Sequence, residues 1–117
     1  GSREYELDDL MMLKVGRHIR PNKRFKLIVA REEGEVKFME GYRNQYSNLY
    51  PTSCNGPLAL IDGKPNQEDL KTAAKVIARY SQGRSEDSVD VEVRLESGVQ
   101  QQFSVAPLDE IPQEWFV

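Results

Sequence analysis

Between Lys14 and Arg31 the chain carries seven basic side chains, Lys14, Arg17, Arg20, Lys23, Arg24, Lys26 and Arg31, and no acidic one. Cations packed this closely repel one another unless something anionic offsets them. Phosphate suits the set, because arginine offers a planar fork of donors and lysine a compact point charge. Outside the window nine basic residues face nineteen acidic ones, so the net charge of −3 conceals one basic segment in an acidic chain. Two readings are open. Either the window meets a polyanion, or its cations form a solvated strand face or pair with carboxylates from the remainder.

The one histidine, His18, lies inside this window, and the one cysteine, Cys54, follows Thr52-Ser53. A single His and a single Cys cannot complete a metal site of ordinary ligand number, and no other cofactor motif is present. His18 has no nucleophile partner in view, so hydrogen bonding, stacking or phosphate contact are its expected roles. Cys54 has no local group to lower its pKa and reads as a buried or idle thiol. Neither a phosphate-binding P-loop, a dinucleotide fingerprint nor a nucleophile elbow occurs. No catalytic residue is assigned, and the chain is expected to be non-catalytic.

Farther along, Lys71, Lys75 and Arg79 stand at i, i+4 and i+8, a spacing that puts them on one helix face. They could extend the positive field of the first window, although exposed helix faces commonly look like this. Tyr42, Tyr46 and Tyr50 repeat every four residues and could stack on unpaired bases. Core packing is the more usual fate of aromatics, and Phe25, Phe38 and Phe103 are expected to be buried, with tyrosines only partly so.

The elements that must hold these residues follow from periodicity. Glu6 to Leu13 reads as a short helix or lead-in. Val15–Arg20 and Phe25–Ala30 read as strands around the Pro21-Asn22-Lys23 turn, a basic hairpin. Glu32–Tyr46 has helical spacing, weakened by Gly34 and Gly41. Tyr50–Gly56 reads as irregular, and Pro57–Asp62 as a buried strand. The clearest helix follows Asn66, a good N-cap with Glu68 and Asp69 in the first turn; its apolar stripe is Leu70, Ala73, Ala74, Ile77 and Tyr80, and Gly83 stops it. Val89–Leu95 alternates, Glu96-Ser97-Gly98 turns, and Val99–Val105 returns as an antiparallel hairpin. The expected class is α+β: a mixed, mostly antiparallel sheet with two main helices, in the order (α)ββαβαββ.

With 117 residues, 38% hydrophobic and 30% charged, the chain fits one globular domain with one core. One cysteine allows no internal disulfide and suits a reducing, cytoplasmic setting. No apolar run approaches the roughly 18 residues of a membrane span, and no signal peptide is visible. Gly1-Ser2 reads as a cloning scar, and residues 3–117 as a single domain, expected to be the C-terminal part of a longer protein.

The stretch Leu13-Lys14-Val15-Gly16-Arg17-His18-Ile19-Arg20, followed by Lys26-Leu27-Ile28-Val29-Ala30-Arg31, resembles the short NFACT-R-like RNA-binding domain at the C-terminus of bacterial 2-thiouridylase-like proteins. That family's pattern is a Gly-Arg-His-aromatic-Arg strand, a turn, and a strand ending Ile-Val-Gly-Arg-Asn before an acidic helix. Gly16, Arg17, His18 and Arg20 match it, as do Lys26, Ile28, Val29, Arg31 and the acidic opening Glu32-Glu33. Gly56-Pro57-Leu58 and Ala78-Arg79-Tyr80-Ser81 fit the same layout. Ala30 replaces a Gly, Glu32 an Asn, and Val36 a second Asn, which removes any contact those groups make in relatives.

The resemblance implies an accessory RNA-binding domain, tRNA-directed, beside an N-terminal ATP-pyrophosphatase domain that activates uridine for sulfur insertion. The Ser-Gly-Gly-x-Asp-Ser loop of that catalytic domain is absent from this chain. RNA contacts are expected from Arg17, His18, Arg20, Lys23, Arg24, Lys26 and Arg31, with Lys71, Lys75 and Arg79 as an extension. The rival expectation is a protein-interaction or dimerisation module that uses the acidic hairpin face and the tail Glu114-Trp115-Phe116-Val117.

Overall fold

In the computed structural model, residues 14–117 are described; the expected helix at Glu6–Leu13 lies outside them. The described elements are β1 (Arg17–Asn22), β2 (Phe25–Val29), α1 (Glu33–Glu40), β3 (Ser47–Pro51), β4 (Ala59–Gly63), α2 (Gln67–Tyr80), β5 (Val89–Arg94) and β6 (Gln100–Val105), then a 3-10 turn at Gln113–Trp115. The strands form one six-stranded sheet in the order β1-β2-β4-β3-β5-β6. Every neighbouring pair is antiparallel. The α+β class and the two helices are as the periodicity predicts.

Two local differences have physical causes. The helix expected to reach Tyr46 ends at Glu40, and the chain leaves through turns in which Tyr42 N–H donates to the Met39 carbonyl. Strand β3 is not marked by periodicity and runs into the segment read as irregular at Tyr50 and Pro51, yet it pairs with both β4 and β5 near the middle of the sheet. Its sequence, Ser-Asn-Leu-Tyr-Pro, has little apolar alternation and ends in proline, a residue depleted from sheet interiors. Pairing on both sides overrides that weak local preference.

One face of the sheet is the main core. Ile19, Phe25, Leu27, Val29, Leu49, Ile61, Val91 and Val93 pack there beneath α2, whose buried residues include Leu70, Ala73, Ala74 and Ile77. Leu108, Ile111 and Trp115 from the C-terminal segment pack against the same cluster. On the opposite face, Ile28, Leu60 and Met39 make a second cluster flanked by Val36, Phe38, Tyr42, Tyr46 and Tyr50. Phe25 is fully buried as expected, whereas Phe38 and Phe103 are half-buried. The other side of the β5–β6 hairpin is polar, with Ser104 Oγ donating to Asp90 across the strands. No helix among the described residues is long and apolar enough to cross a membrane.

Helix α2 begins as the sequence dictates. The Asn66 side chain accepts from Asp69 N–H at 2.8 Å, and the Asp69 carboxylate accepts from Asn66 N–H at 2.9 Å, a complete capping box. Gly63 lets the β1–β2 turn close onto β4. Its φ is +121°, and a Cβ there would lie 2.3 Å from the Arg24 carbonyl oxygen.

Candidate functional site

The β1–β2 hairpin forms, but Pro21 and Asn22, expected in the turn, continue β1 and the turn is Lys23–Arg24; Arg17 lies opposite Val29 and His18 opposite Ile28. Strand alternation divides its cations. Arg17 shares the face of the main core, and His18 points to the other face. Lys23 and Arg24 make the turn, where Asn22 Oδ1 accepts from Arg24 N–H at 2.8 Å. Arg20 is exposed, and Lys26 stands opposite Asp62 of β4. The basic segment therefore spreads over two faces and two ends of the hairpin.

Two of its arginines meet carboxylates from elsewhere in the chain. Arg24 Nε and a terminal guanidinium nitrogen lie 2.6 and 2.9 Å from the two oxygens of Asp69, and Asn22 donates to the same carboxylate at 2.9 Å. The Arg24 hydrogen bonds hold Asp69 well below the usual carboxylate range although burial opposes them. Arg31, just past β2, meets Glu35 of α1 at 2.6 Å, and Glu35 also accepts from the backbone N–H of Gly16 and Arg31. These bonds, Arg31 first, lower the Glu35 carboxyl to about 2. Glu35 thus ties the start of β1 to the end of β2. Gly16 is fitted to this join: its φ is +74°, and a Cβ would lie 2.8 Å from the Val29 carbonyl oxygen.

Arg24 sits at the first turn of α2 and Arg17 at its last. The Arg17 guanidinium carbon lies 4.8 Å from the Tyr80 ring centroid. Asp69 and Tyr80 are separated by roughly 17 Å along the helix axis, at 1.5 Å per residue. The Tyr80 hydroxyl pKa is raised by burial, with Arg17 and Arg79 working the other way. Of the expected helix extension, Lys71 is exposed while Lys75 and Arg79 are half-buried. The C-terminal segment crosses α2 there, with Leu108 N–H donating to the Lys75 carbonyl.

At the Tyr80 end, separated stretches of sequence close around a cleft of about 290 Å³ whose lining includes Arg17, Arg31, Asn55, Gly56, Tyr80 and Gln82. Gly56 lets the β3–β4 loop approach the end of α2; a Cβ on it would lie 2.5 Å from Pro51 Cγ and 2.9 Å from Ser81 Cβ. Gln82 N–H donates to the Asn55 carbonyl at 2.8 Å and fixes that approach. The cleft offers two guanidinium groups, one tyrosine ring and two carboxamides, with the Glu32 carboxylate also in its wall and Arg31 already paired with Glu35. Such a set can hold an anion on the arginines and a planar ring beside the tyrosine. Asn55 and Gln82 carry no signal in the sequence that singles them out.

His18 Nε2 lies 3.1 Å from the Val15 carbonyl oxygen, and the His18 carbonyl accepts from Val117 N–H. The tail lies along β1, where Phe116 bridges Ile19, and the side chains of Phe116 and Val117 stay exposed. Cys54 is half-buried against the main core. Among the described residues no group of three or more His, Cys, Asp or Glu side chains could hold a metal ion.

A family model described as the NFACT protein RNA binding domain matches residues 16–116. Among solved structures, the C-terminal part of the fibronectin/fibrinogen-binding protein from Streptococcus suis superimposes with a TM-score of 0.72 at 15% identity. The match covers 88% of this chain and 49% of that one, so this chain spans about half the length of that structure. At that identity the likeness is one of fold. No curated protein sequence matches the chain.

Proposed function

The chain belongs to the family of NFACT protein RNA-binding domains, and we propose that it serves as an accessory, non-catalytic RNA-binding domain that grips phosphates from the β1–β2 hairpin. The observation that carries this reading is the cleft in which Arg17, Arg31 and Tyr80 converge with the Gly56 loop. Residues 16–20, 31, 56–57 and 80 are far apart in sequence, and all belong to the stretches that resemble the family pattern. Phosphate contacts fall to Arg17 and Arg31 in the cleft, to the exposed Arg20 on β1, and, at the far end of the hairpin, to Lys23, the outer nitrogen of Arg24 and Lys26. His18 contributes at the sugar or base, and Lys71, Lys75 and Arg79 extend the field along α2. Recognition is mainly of backbone and shape, with the Asn55 and Gln82 carboxamides of the cleft able to meet a base edge.

The finer reading is a tRNA-directed domain of a cytoplasmic thiouridylase-like protein whose N-terminal domain does the ATP-dependent chemistry. It rests on the sequence resemblance around Gly16–Arg20 and Lys26–Arg31. The interaction-module alternative keeps the exposed side chains of Phe116 and Val117, while Trp115 packs on the core and the Phe116 backbone pairs with β1.

Titration of labelled tRNA with the domain at several salt concentrations tests the proposal. Log affinity should fall linearly with log salt, at a slope of roughly 0.7–0.9 per phosphate contacted. Absence of binding at about 50 mM salt, where screening is weak, would refute it.

A further inference from the structure

The Arg17–Tyr80 cleft does not end at α1. A second depression, of about 460 Å³, shares Val36, Asn55 and Gly56 with it. A third, of about 440 Å³, shares Glu40, Arg43 and Arg94 with the second. Through these common walls the three depressions adjoin in series, from the start of β1 to the β5–β6 hairpin. In the second stands another arginine–tyrosine group: the guanidinium carbons of Arg43 and Arg94 lie 5.3 and 5.7 Å from the Tyr50 ring centroid.

Tyr50 is held in place, its hydroxyl donating to Glu92 at 3.0 Å, and Arg94 Nε donates to the same carboxylate at 2.7 Å. Arg43 is held loosely, 3.9 Å from Glu40. Opposite Arg94 in the sheet is Asn48, 3% exposed and in the lining of the third depression. Its Nδ2 donates to the Arg43 and Tyr46 carbonyls at 3.3 and 3.4 Å, which leaves the carboxamide oxygen as an acceptor without a partner among the described residues. Buried acceptors are rarely left so. The oxygen is covered, so a donor reaches it only as the lining side chains shift.

We infer that Arg43, Tyr50, Arg94 and Asn48 form a second nucleotide station, which takes an unpaired base of the same RNA strand whose phosphates lie on Arg17 and Arg31. The inference rests on the RNA-binding reading and adds to it the class of ligand: single-stranded RNA, free or in a loop. Glu40, Glu92 and Glu96 offset the two arginines here, so this part of the series is no well for phosphate. Guanidinium planes and a tyrosine suit a base, and the Asn48 oxygen suits an N–H on its edge. A duplex keeps its bases stacked and paired and could not use the station.

The test compares an unstructured oligoribonucleotide of about nine nucleotides, within the span of about 4–16 that single-strand sites cover, with a trinucleotide. The longer strand should bind at least about tenfold more tightly, as one stacked base contributes. The same strand annealed to its complement should lose that advantage. Arg43→Gln with Arg94→Gln should shrink the length advantage to under about threefold. In the wild-type protein the longer strand should shift the Asn48 side-chain and Arg94 Nε signals in 1H–15N spectra. If those signals stay still, or a folded variant keeps the full length advantage, this inference falls while RNA binding stands. If neither oligonucleotide nor tRNA binds at about 50 mM salt, both readings fall together. A variant that does not fold leaves the wild-type spectra to decide.

Discussion

Arg24 in the β1–β2 turn and Asp69 in the first turn of α2 are joined by two hydrogen bonds, of 2.6 and 2.9 Å. Asp69 at once closes the capping box with Asn66 and accepts from Asn22. One buried carboxylate therefore starts a helix and docks a hairpin on it. Replacing Asp69 with Ala should cost more than an ordinary cap, about 2–3 kcal/mol, since charged hydrogen bonds are lost with it. Urea unfolding followed by circular dichroism measures this; a loss under about 0.5 kcal/mol, the level of a neutral surface change, would contradict the assignment.

RNA contacts should divide along the same line. Among the described residues, Arg17 and Arg20 have no carboxylate partner at the distances seen for Arg24 and Arg31. Reversing both charges, Arg17→Glu with Arg20→Glu, should weaken tRNA binding and lower the salt slope by roughly 1.4–1.8, two phosphate contacts' worth. Arg24→Gln should reduce affinity less than the double reversal and reduce thermal stability more. An unchanged slope in the double variant would remove the hairpin from the interface.

Much of this architecture is legible in the sequence because it is local. The alternation of Val89, Val91 and Val93 marks β5, and Asn66 with Asp69 marks the start of α2. Strand β3 is illegible because its pairing with β4 and β5 overrides a segment with weak strand character of its own. The charges of the hairpin are legible as a run, but their division is not. Glu35 lies four residues from Arg31, a local pair, but Asp69 lies 45 residues from Arg24, and only tertiary packing selects it from nineteen acidic residues. For the same reason the cleft that gathers Arg17, Arg31, Gly56 and Tyr80 has no single motif.

Gly63 should resist substitution. Alanine there would place its Cβ against the Arg24 carbonyl oxygen, at a backbone angle that L-residues rarely adopt. Lys64 N–H also donates to that carbonyl, so the turn cannot back away without losing a hydrogen bond. Gly63→Ala should destabilise by at least about 1–3 kcal/mol, as strained backbone positions do. Gly98→Ala is the control: its φ is +99° but nothing lies within 4 Å of the added Cβ, so its cost should be strain alone and smaller. Equal losses in the two variants would show that the close approach at Arg24 carries no energy.

Acid should unfold the domain by a route that Glu35 reports. Its carboxyl falls from an ordinary value of 4.5 to about 2 in the fold, chiefly through Arg31, and Asp69 and Glu92 shift the same way through Arg24 and Arg94. The unfolded chain therefore takes up protons first as pH drops. The stability these groups contribute is present above about pH 4.5 and declines toward pH 2, where Glu35 itself protonates in the fold. Glu35→Gln removes one of these protonations, so its melting temperature should start lower at neutral pH and converge on wild type as pH falls through that window. Melting curves that stay parallel from neutral pH to pH 2 would mean that Arg31 and Gly16 do not hold the Glu35 carboxylate in its charged form.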